Sequence, residues 1–315
     1  MNNGQSLELM VTLWPSFPHF QCFAEDKRVK GIRLNSAMMS HPELEKELGI
    51  VAPRLARDEL LYFDVKGRQL RVVETHVFPD HLELTLNHRI EVATPTVVLF
   101  KAGADECLLE KVEDGGRRLV FRGGPYYEVR AGESLHLRDP SLRVHPPVYT
   151  DAELQKIERV RRAGFKRYFL SYVEEPADLD QFLELVGKDA EVMLKIESKR
   201  GLDYVANAFR KRDNVSLVAA CGDLYVELER PHEILQAVEL ILEKDPQAVV
   251  GSRMLLSVIH DPVPSYADFA QLAWLERIGY RRFMLCDELC LKGELLATAV
   301  NAFEAFRSSY AMNNS

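Results

Sequence analysis

An α/β fold, a (β/α)8 TIM barrel interrupted after its third strand by a small all-β domain, is what this sequence predicts, and three observations predict it. From Thr150 onward amphipathic helical segments alternate strictly with short apolar runs. Three further apolar runs before residue 67 bring the strand count to the eight that close such a barrel. Between about 68 and 145 the texture changes to short strand-like runs divided by turns, with no helical period. The expected division is therefore 1–67 and 146–315 for the barrel and 68–145 for the insert.

The early strands are expected at 7–13, 30–35 and 60–65, with a helix at 42–56 between the second and third. In the insert, runs at 70–73, 82–86, 96–100, 118–121, 126–129 and 134–137 are separated by Pro79-Asp80, Gly115-Gly116 and Gly123-Gly124. An insertion here interrupts a strand-to-helix connection, at the barrel end where active sites are built, so a lid is expected. After it, Thr150 with Glu153 forms a capping-box signature and Gly164 suits a left-handed C-terminal turn. Strands follow at 168–173, 191–196, 215–220, 248–252 and 282–286, alternating with helices near 177–186, 202–209, after Pro231, after Ser265 and at 292–307. Nearly all-apolar strands between amphipathic helices suit a parallel sheet buried on both faces. An open doubly wound sheet would accommodate the same alternation.

A chain of 315 residues with 47% hydrophobic content can bury a sizeable core, which excludes disorder and a small stapled fold. The net charge of −8 argues against a broad footprint for nucleic acid or an anionic membrane. Arg159, Arg161 and Arg162 read as a solvated helix face. Five scattered cysteines point to reduced thiols, and Cys286 with Cys290 lacks the two further ligands a zinc site needs. The first residues show no signal-like pattern and no run reaches a membrane span, so a cytoplasmic protein is expected.

The polar residues fall at strand ends. Arg33 and Asn35 end the second predicted strand, Asp64 the third, Lys195 and Glu197 the fifth, Gly222 and Asp223 the sixth, and Ser252 the seventh. All lie on what would be the catalytic rim. In Lys195-Ile196-Glu197 the period of two sends both charges to the same side. One such pair alone reads more readily as a satisfied ion pair. The recurrence at successive strand ends reverses that reading.

In these stretches the sequence resembles pyruvate kinase. Arg33-Leu34-Asn35-Ser36-Ala37 matches R-L-N-x-S, and Asp64-Val65-Lys66-Gly67-Arg68-Gln69-Leu70-Arg71 matches D-T-K-G-P-E-I-R. Lys195-Ile196-Glu197-Ser198-Lys199-Arg200-Gly201 matches K-I-E-N-x-x-G, and Ala220-Cys221-Gly222-Asp223-Leu224-Tyr225-Val226-Glu227 matches A-R-G-D-L-G-V-E. Gly251 to Ser257 is similar to A-T-Q-M-L-E-S, Pro262-Val263-Pro264-Ser265 to P-x-P-T, and Thr12-Leu13-Trp14-Pro15 to T-x-G-P. Each match is short, but their order and spacing agree along the chain.

The resemblance implies a barrel with a lid domain, and no counterpart of the family's C-terminal regulatory domain, so sugar-phosphate regulation is not expected. It implies that Glu197 and Asp223 bind Mg2+ or Mn2+, a hard oxygen-rich site. Lys195 would stabilise the transferring phosphoryl group and the enolate, and Arg33 the phosphoryl oxygens. Backbone N–H groups at Gly222 and Asp223 would receive the substrate carboxylate, and Ser252 would relay a proton at the enolate carbon. Arg71 would be the nucleotide or phosphate contact. The K+ site is expected to be damaged: Asn35 and Asp64 remain, but Ala37 and Val65 replace a Ser and a Thr, and Gln69 replaces a Glu. Met38 stands where the family has His near the nucleotide, Cys221 replaces an Arg and Tyr225 a Gly.

The leading expectation is a phosphotransferase acting between phosphoenolpyruvate and ADP or ATP. A metal-dependent lyase, aldolase or decarboxylase of a 2-oxoacid without nucleotide is the alternative, and a catalytically inactive binding relative the third. The expected partners are these small molecules and, as a homo-oligomer, further copies of the chain, with no nucleic acid and no membrane.

Overall fold

The computed structural model describes residues 6–36, 41–55 and 60–311. The expectations placed on Ala37, Met38 and Ala56 fall outside the described residues.

Eight parallel strands close into a barrel in the order β1-β15-β14-β13-β12-β11-β3-β2. They are β1 (Glu8–Thr12), β2 (Val29–Asn35), β3 (Leu61–Val65), β11 (Arg167–Leu170), β12 (Glu191–Ile196), β13 (Val215–Ala220), β14 (Val249–Gly251) and β15 (Arg282–Met284). The open sheet is thereby excluded. Around the barrel run α1 (Phe20–Ala24), α2 (His41–Leu55), α3 (Asp151–Arg162), α4 (Pro176–Val186), α5 (Lys199–Asn207), α6 (Cys221–Glu227), α7 (Glu233–Lys244), α8 (Tyr266–Ile278), α9 (Asp287–Cys290) and α10 (Gly293–Phe306). Their apolar faces and the outward side chains of the strands form one continuous core. Thr150 caps α3 by accepting from the Glu153 N–H. The Glu153 carboxylate does not complete the box; it accepts from Lys66 N instead. Gly164 takes the left-handed turn after α3, at φ +100°. Arg161 and Arg162 pair with Glu158, and Arg159 with Glu45, on an exposed face.

The barrel interior is filled by a separate cluster: Met10, Tyr62, Phe169, Met193, Val218, Val249 and Met284. Gly31 belongs to this layer because a Cβ there would stand 2.4 Å from the Met10 methyl, so the small residue makes room for the large one. No helix among the described residues is long and apolar enough to cross a membrane.

After β3 the chain leaves the barrel at Gly67, where φ is +51° and a Cβ would stand 2.8 Å from the Ser171 carbonyl. It builds a five-stranded antiparallel sheet in the order β4-β5-β9-β8-β7, from β4 (Val72–Val77), β5 (His81–Leu86), β7 (Thr96–Phe100), β8 (Asp105–Glu113) and β9 (Arg118–Arg122). A short pair, β6 (Ile90–Glu91) with β10 (Arg143–Val144), completes this part. It has its own core around Leu84, Phe100, Leu109 and Phe121. Two expectations are corrected. Residues 126–129 form no strand, and 134–137 join the sheets only through isolated bridges at Ser134 and His136. The segment 132–136 instead crosses the sheet's edges with scattered backbone bonds, to Leu70 and Val72 on one side and Leu99 on the other. The strand β8 went unpredicted.

Candidate active site

The barrel's side-chain layers explain where the polar groups sit. Two residues further along each strand from the apolar plug, the same inward face carries Thr12, Arg33, Asp64, Ser171 and Lys195. One step further come Asn35, Lys66 and Glu197. These groups form a buried network centred on Asp64, which has no exposed surface. Arg33 Nε donates to Asp64 Oδ2 (2.6 Å), Lys66 Nζ to the same oxygen (3.0 Å), and Ser171 Oγ to Oδ1 (3.0 Å). Lys195 Nζ lies 2.7 Å from Glu197 Oε1 and 3.6 Å from Asp64 Oδ2, and donates to Ser171 Oγ (3.1 Å). Burial alone would raise the Asp64 carboxyl, but Lys195, Lys66 and Arg33 hold it well below the usual carboxylate range. Burial drives Lys66 the other way, down to about 7, against the pull of Asp64.

Above this network opens a cavity of about 420 Å³. Arg33, Asn35, Lys66, Gln69, Arg71, Lys195, Glu197, Gly222, Asp223 and Ser252 all line it, so the residues picked from separate stretches of sequence converge. Asp64 lies beneath its floor. The wall around Gly222 and Asp223 is the first turn of α6, and a Cβ on Gly222 would stand 3.3 Å from that of Ser252. Cys221 is buried behind that turn. Cys286 lines the cavity at the end of β15, while Cys290 is buried with its Sγ accepting from Thr12 N.

Glu197 and Asp223 behave as a coupled pair of carboxylates. Burial and the neighbouring Asp223 raise Glu197, whereas His136 and Lys195 overcome the burial of Asp223 and lower it. Of the two, Glu197 is the one pushed toward its protonated form. Tyr172, held in a left-handed conformation at φ 52°, gives its N–H to Glu197 Oε2 (2.8 Å). Glu197 Oε1 is buried and, despite the nearby ammonium, accepts no hydrogen bond of normal geometry. Among the described residues no group of three or more His, Cys, Asp and Glu side chains is placed to hold a metal alone. Glu197 and Asp223 both line the cavity, and these two carboxylates fit a hard divalent cation whose remaining ligands come from substrate and water.

Three participants escaped the sequence reading. Asp287, the first residue of α9, accepts from Arg33 (2.7 Å) and Asn35 (2.7 Å). It closes the eighth strand end, the same signal that singled out the others. His136 reaches in from the insert and is 1% exposed. Its Nδ1 lies 2.7 Å from Glu227 Oε1 and its Nε2 3.7 Å from Asp223 Oδ1. Burial disfavours its charged form, but these carboxylates outweigh burial and raise it above its ordinary value. Arg253, following Ser252, lies with its guanidinium 4.6 Å from the Tyr225 ring centre. From the insert, Arg71 donates to Gln69 Oε1 (3.1 and 2.6 Å), and burial lowers its pKa.

No family model matches the chain. Curated relatives do match it. The pyruvate kinase of Methanocaldococcus jannaschii is 24% identical over 301 residues, 89% of this chain and 64% of that protein. That of Thermoplasma acidophilum is 25% identical over 288 residues, covering 84% and 51%. That of Mycobacterium tuberculosis is 27% identical over 175 residues, covering 54% and 36%. The chain thus spans less than two thirds of the length of these relatives. Likeness to several pyruvate kinases, on a closed eight-stranded barrel with its polar residues at the strand ends, is consistent with a divergent member of the pyruvate kinase family.

Proposed function

We propose that this chain is a pyruvate-kinase-like phosphotransferase, moving a phosphoryl group between an enolpyruvate and a nucleotide with a divalent metal. The observation that carries the reading is the convergence, in one cavity, of the Glu197 and Asp223 carboxylates and of cations braced by buried partners. Phosphoryl transfer asks little of covalent chemistry and much of positioned charge. A Mg2+ or Mn2+ held by Glu197 and Asp223 would supply Lewis-acid stabilisation to the enolate and phosphoryl oxygens.

In this reading Lys195 meets charge as the bond between phosphorus and the enol oxygen breaks. Its ammonium is preorganised: Asp64 and Glu197 outweigh burial and keep it protonated. Arg33 turns toward the phosphoryl oxygens from a guanidinium already braced by Asp64 and Asp287. Arg71 faces the nucleotide phosphates, the N–H groups at Gly222 and Asp223 receive the carboxylate, and the Ser252 hydroxyl delivers the proton that turns the enolate into pyruvate. The insert acts as the lid. The Asp64 carboxylate already has protein donors on both oxygens, which supports turnover without K+.

The test is pyruvate formation from phosphoenolpyruvate with ADP and Mg2+ or Mn2+, with and without K+. Lys195→Ala should lower turnover about 10²-fold or more while circular dichroism stays unchanged, since one preorganised charge contributes on that scale. Absence of product with either metal and several nucleotides, or undiminished turnover by Lys195→Ala, would sink the reading.

A further inference from the structure

The connection leaving β14 is under backbone strain. Ser252, Arg253 and Leu255 all occupy the left-handed region, at φ 68°, 56° and 55°, without a glycine among them. Such conformations are strained for residues with a side chain and persist where the surroundings impose them. Here the result is that Ser252 and Arg253 both line the cavity. Arg253 differs from every other cation there that comes from the barrel. Arg33, Lys66 and Lys195 each pair with buried carboxylates. No carboxylate among the described residues pairs with Arg253, and its Nε is buried without a hydrogen-bond partner. What holds the guanidinium is the face of Tyr225, two residues beyond Asp223 on α6.

An arginine whose fork is stacked, oriented and unpaired on a cavity wall is a receptor for an anionic oxygen group. Its place decides which one. Ser252 packs on Gly222 beside Asp223, so Arg253 belongs to the acid-substrate wall; the insert's Arg71 is on a different segment with Gln69. We propose that Arg253 is a receptor for a second carboxylate, so that besides enolpyruvate the site takes 2-oxoacids with a distal carboxylate and binds these more tightly. This rests on the enolpyruvate reading and extends its acid substrates to dicarboxylic 2-oxoacids and their enol forms.

The test is calorimetric titration of the full chain with Mg2+, comparing 2-oxoglutarate with 2-oxopentanoate, which has the same chain length and no distal carboxylate. Wild-type protein should prefer 2-oxoglutarate about 10- to 100-fold, the scale of hydrogen bonds to a charged group. Arg253→Gln should bring that ratio close to one while Mg2+-dependent oxalate binding changes by less than about threefold. Oxalate binding with no preference between the two 2-oxoacids in the wild type overturns this inference alone, whether or not the variant folds. So does a preference that Arg253→Gln retains, or a variant that weakens only ADP binding. Absence of Mg2+-dependent oxalate binding overturns the enolpyruvate reading as well.

Discussion

The barrel and the β insert present the cavity with opposite kinds of residue. The barrel's contribution is deeply buried and mutually braced: each of Arg33, Asp64, Lys66, Lys195 and Glu197 touches another of the set, above a plug of hydrocarbon. The insert contributes fewer groups, and it is tied to the barrel by separate polar contacts. Among these are His136 to Glu227, Arg138 Nε to the Val226 carbonyl, His88 to the Gly67 carbonyl and Arg200 to the Leu142 carbonyl. Its apolar core is its own. Fixed electrostatics are therefore built into the barrel, while the insert adds its part of the wall from a unit with a separate core, the part that would close under the proposed function.

The sharpest way to break this contrast is at Asp64. Asp64→Asn leaves three buried cations without their central anion and should cost about 3–5 kcal/mol in urea unfolding. Removing the exposed insert pair of Arg122 with Glu110 should cost under about 1 kcal/mol. Equal costs would show that the barrel network is not the more tightly coupled part.

Next in size is a pH effect at Glu197. Folded Glu197 keeps its proton up to about 7, against an ordinary value of 4.5. Between those values the folded state binds more protons than the unfolded one, so this group's contribution to stability falls as pH rises. In metal-free protein Glu197→Gln should flatten that fall and raise the melting temperature at pH 8. Divalent metal should bind the wild type with release of a proton below pH 7, seen as a dependence of calorimetric heat on buffer. An unchanged pH profile in Glu197→Gln would count against the coupled pair.

The smallest effect belongs to the tie between the two regions. His136→Ala should leave global unfolding within about 1–2 kcal/mol, since the barrel core is untouched. Amide exchange at Leu99 and His136, whose backbones pair with each other, should quicken, and metal affinity should drop by up to about tenfold. Exchange that does not change would mean that His136 does not fasten the insert.

The same contrast governs how much of the molecule was legible in its sequence. Barrel strands such as 191–196 and 215–220 are buried on both faces, so continuous apolar runs marked them to the residue. In the insert one face is solvated and bulges interrupt alternation. Strand β8 places Cys107 and Leu109 inward, then a register shift between Leu109 and Lys111 breaks the period, so nine residues of strand looked like a charged loop. The polar rim of the cavity was readable because strand ends expose one side chain in two to it. His136 was not, since nothing in Leu135-His136-Leu137 tells that the histidine meets carboxylates 87 and 91 positions later. Arg253 was hidden for a different reason: its orientation depends on left-handed backbone that sequence pattern does not reveal.

The plug of Met10, Tyr62, Phe169, Met193, Val218, Val249 and Met284 has a consequence for traffic. Among the described residues the plug stoppers the barrel at its waist, below the cavity that Lys195 lines. Under the proposed function reactants and products would then approach Lys195 from the strand-end side, past the wall to which Arg71 and Ser134 contribute. Substrate arrival and product departure would share that side, so the order of binding and release would follow from the architecture itself.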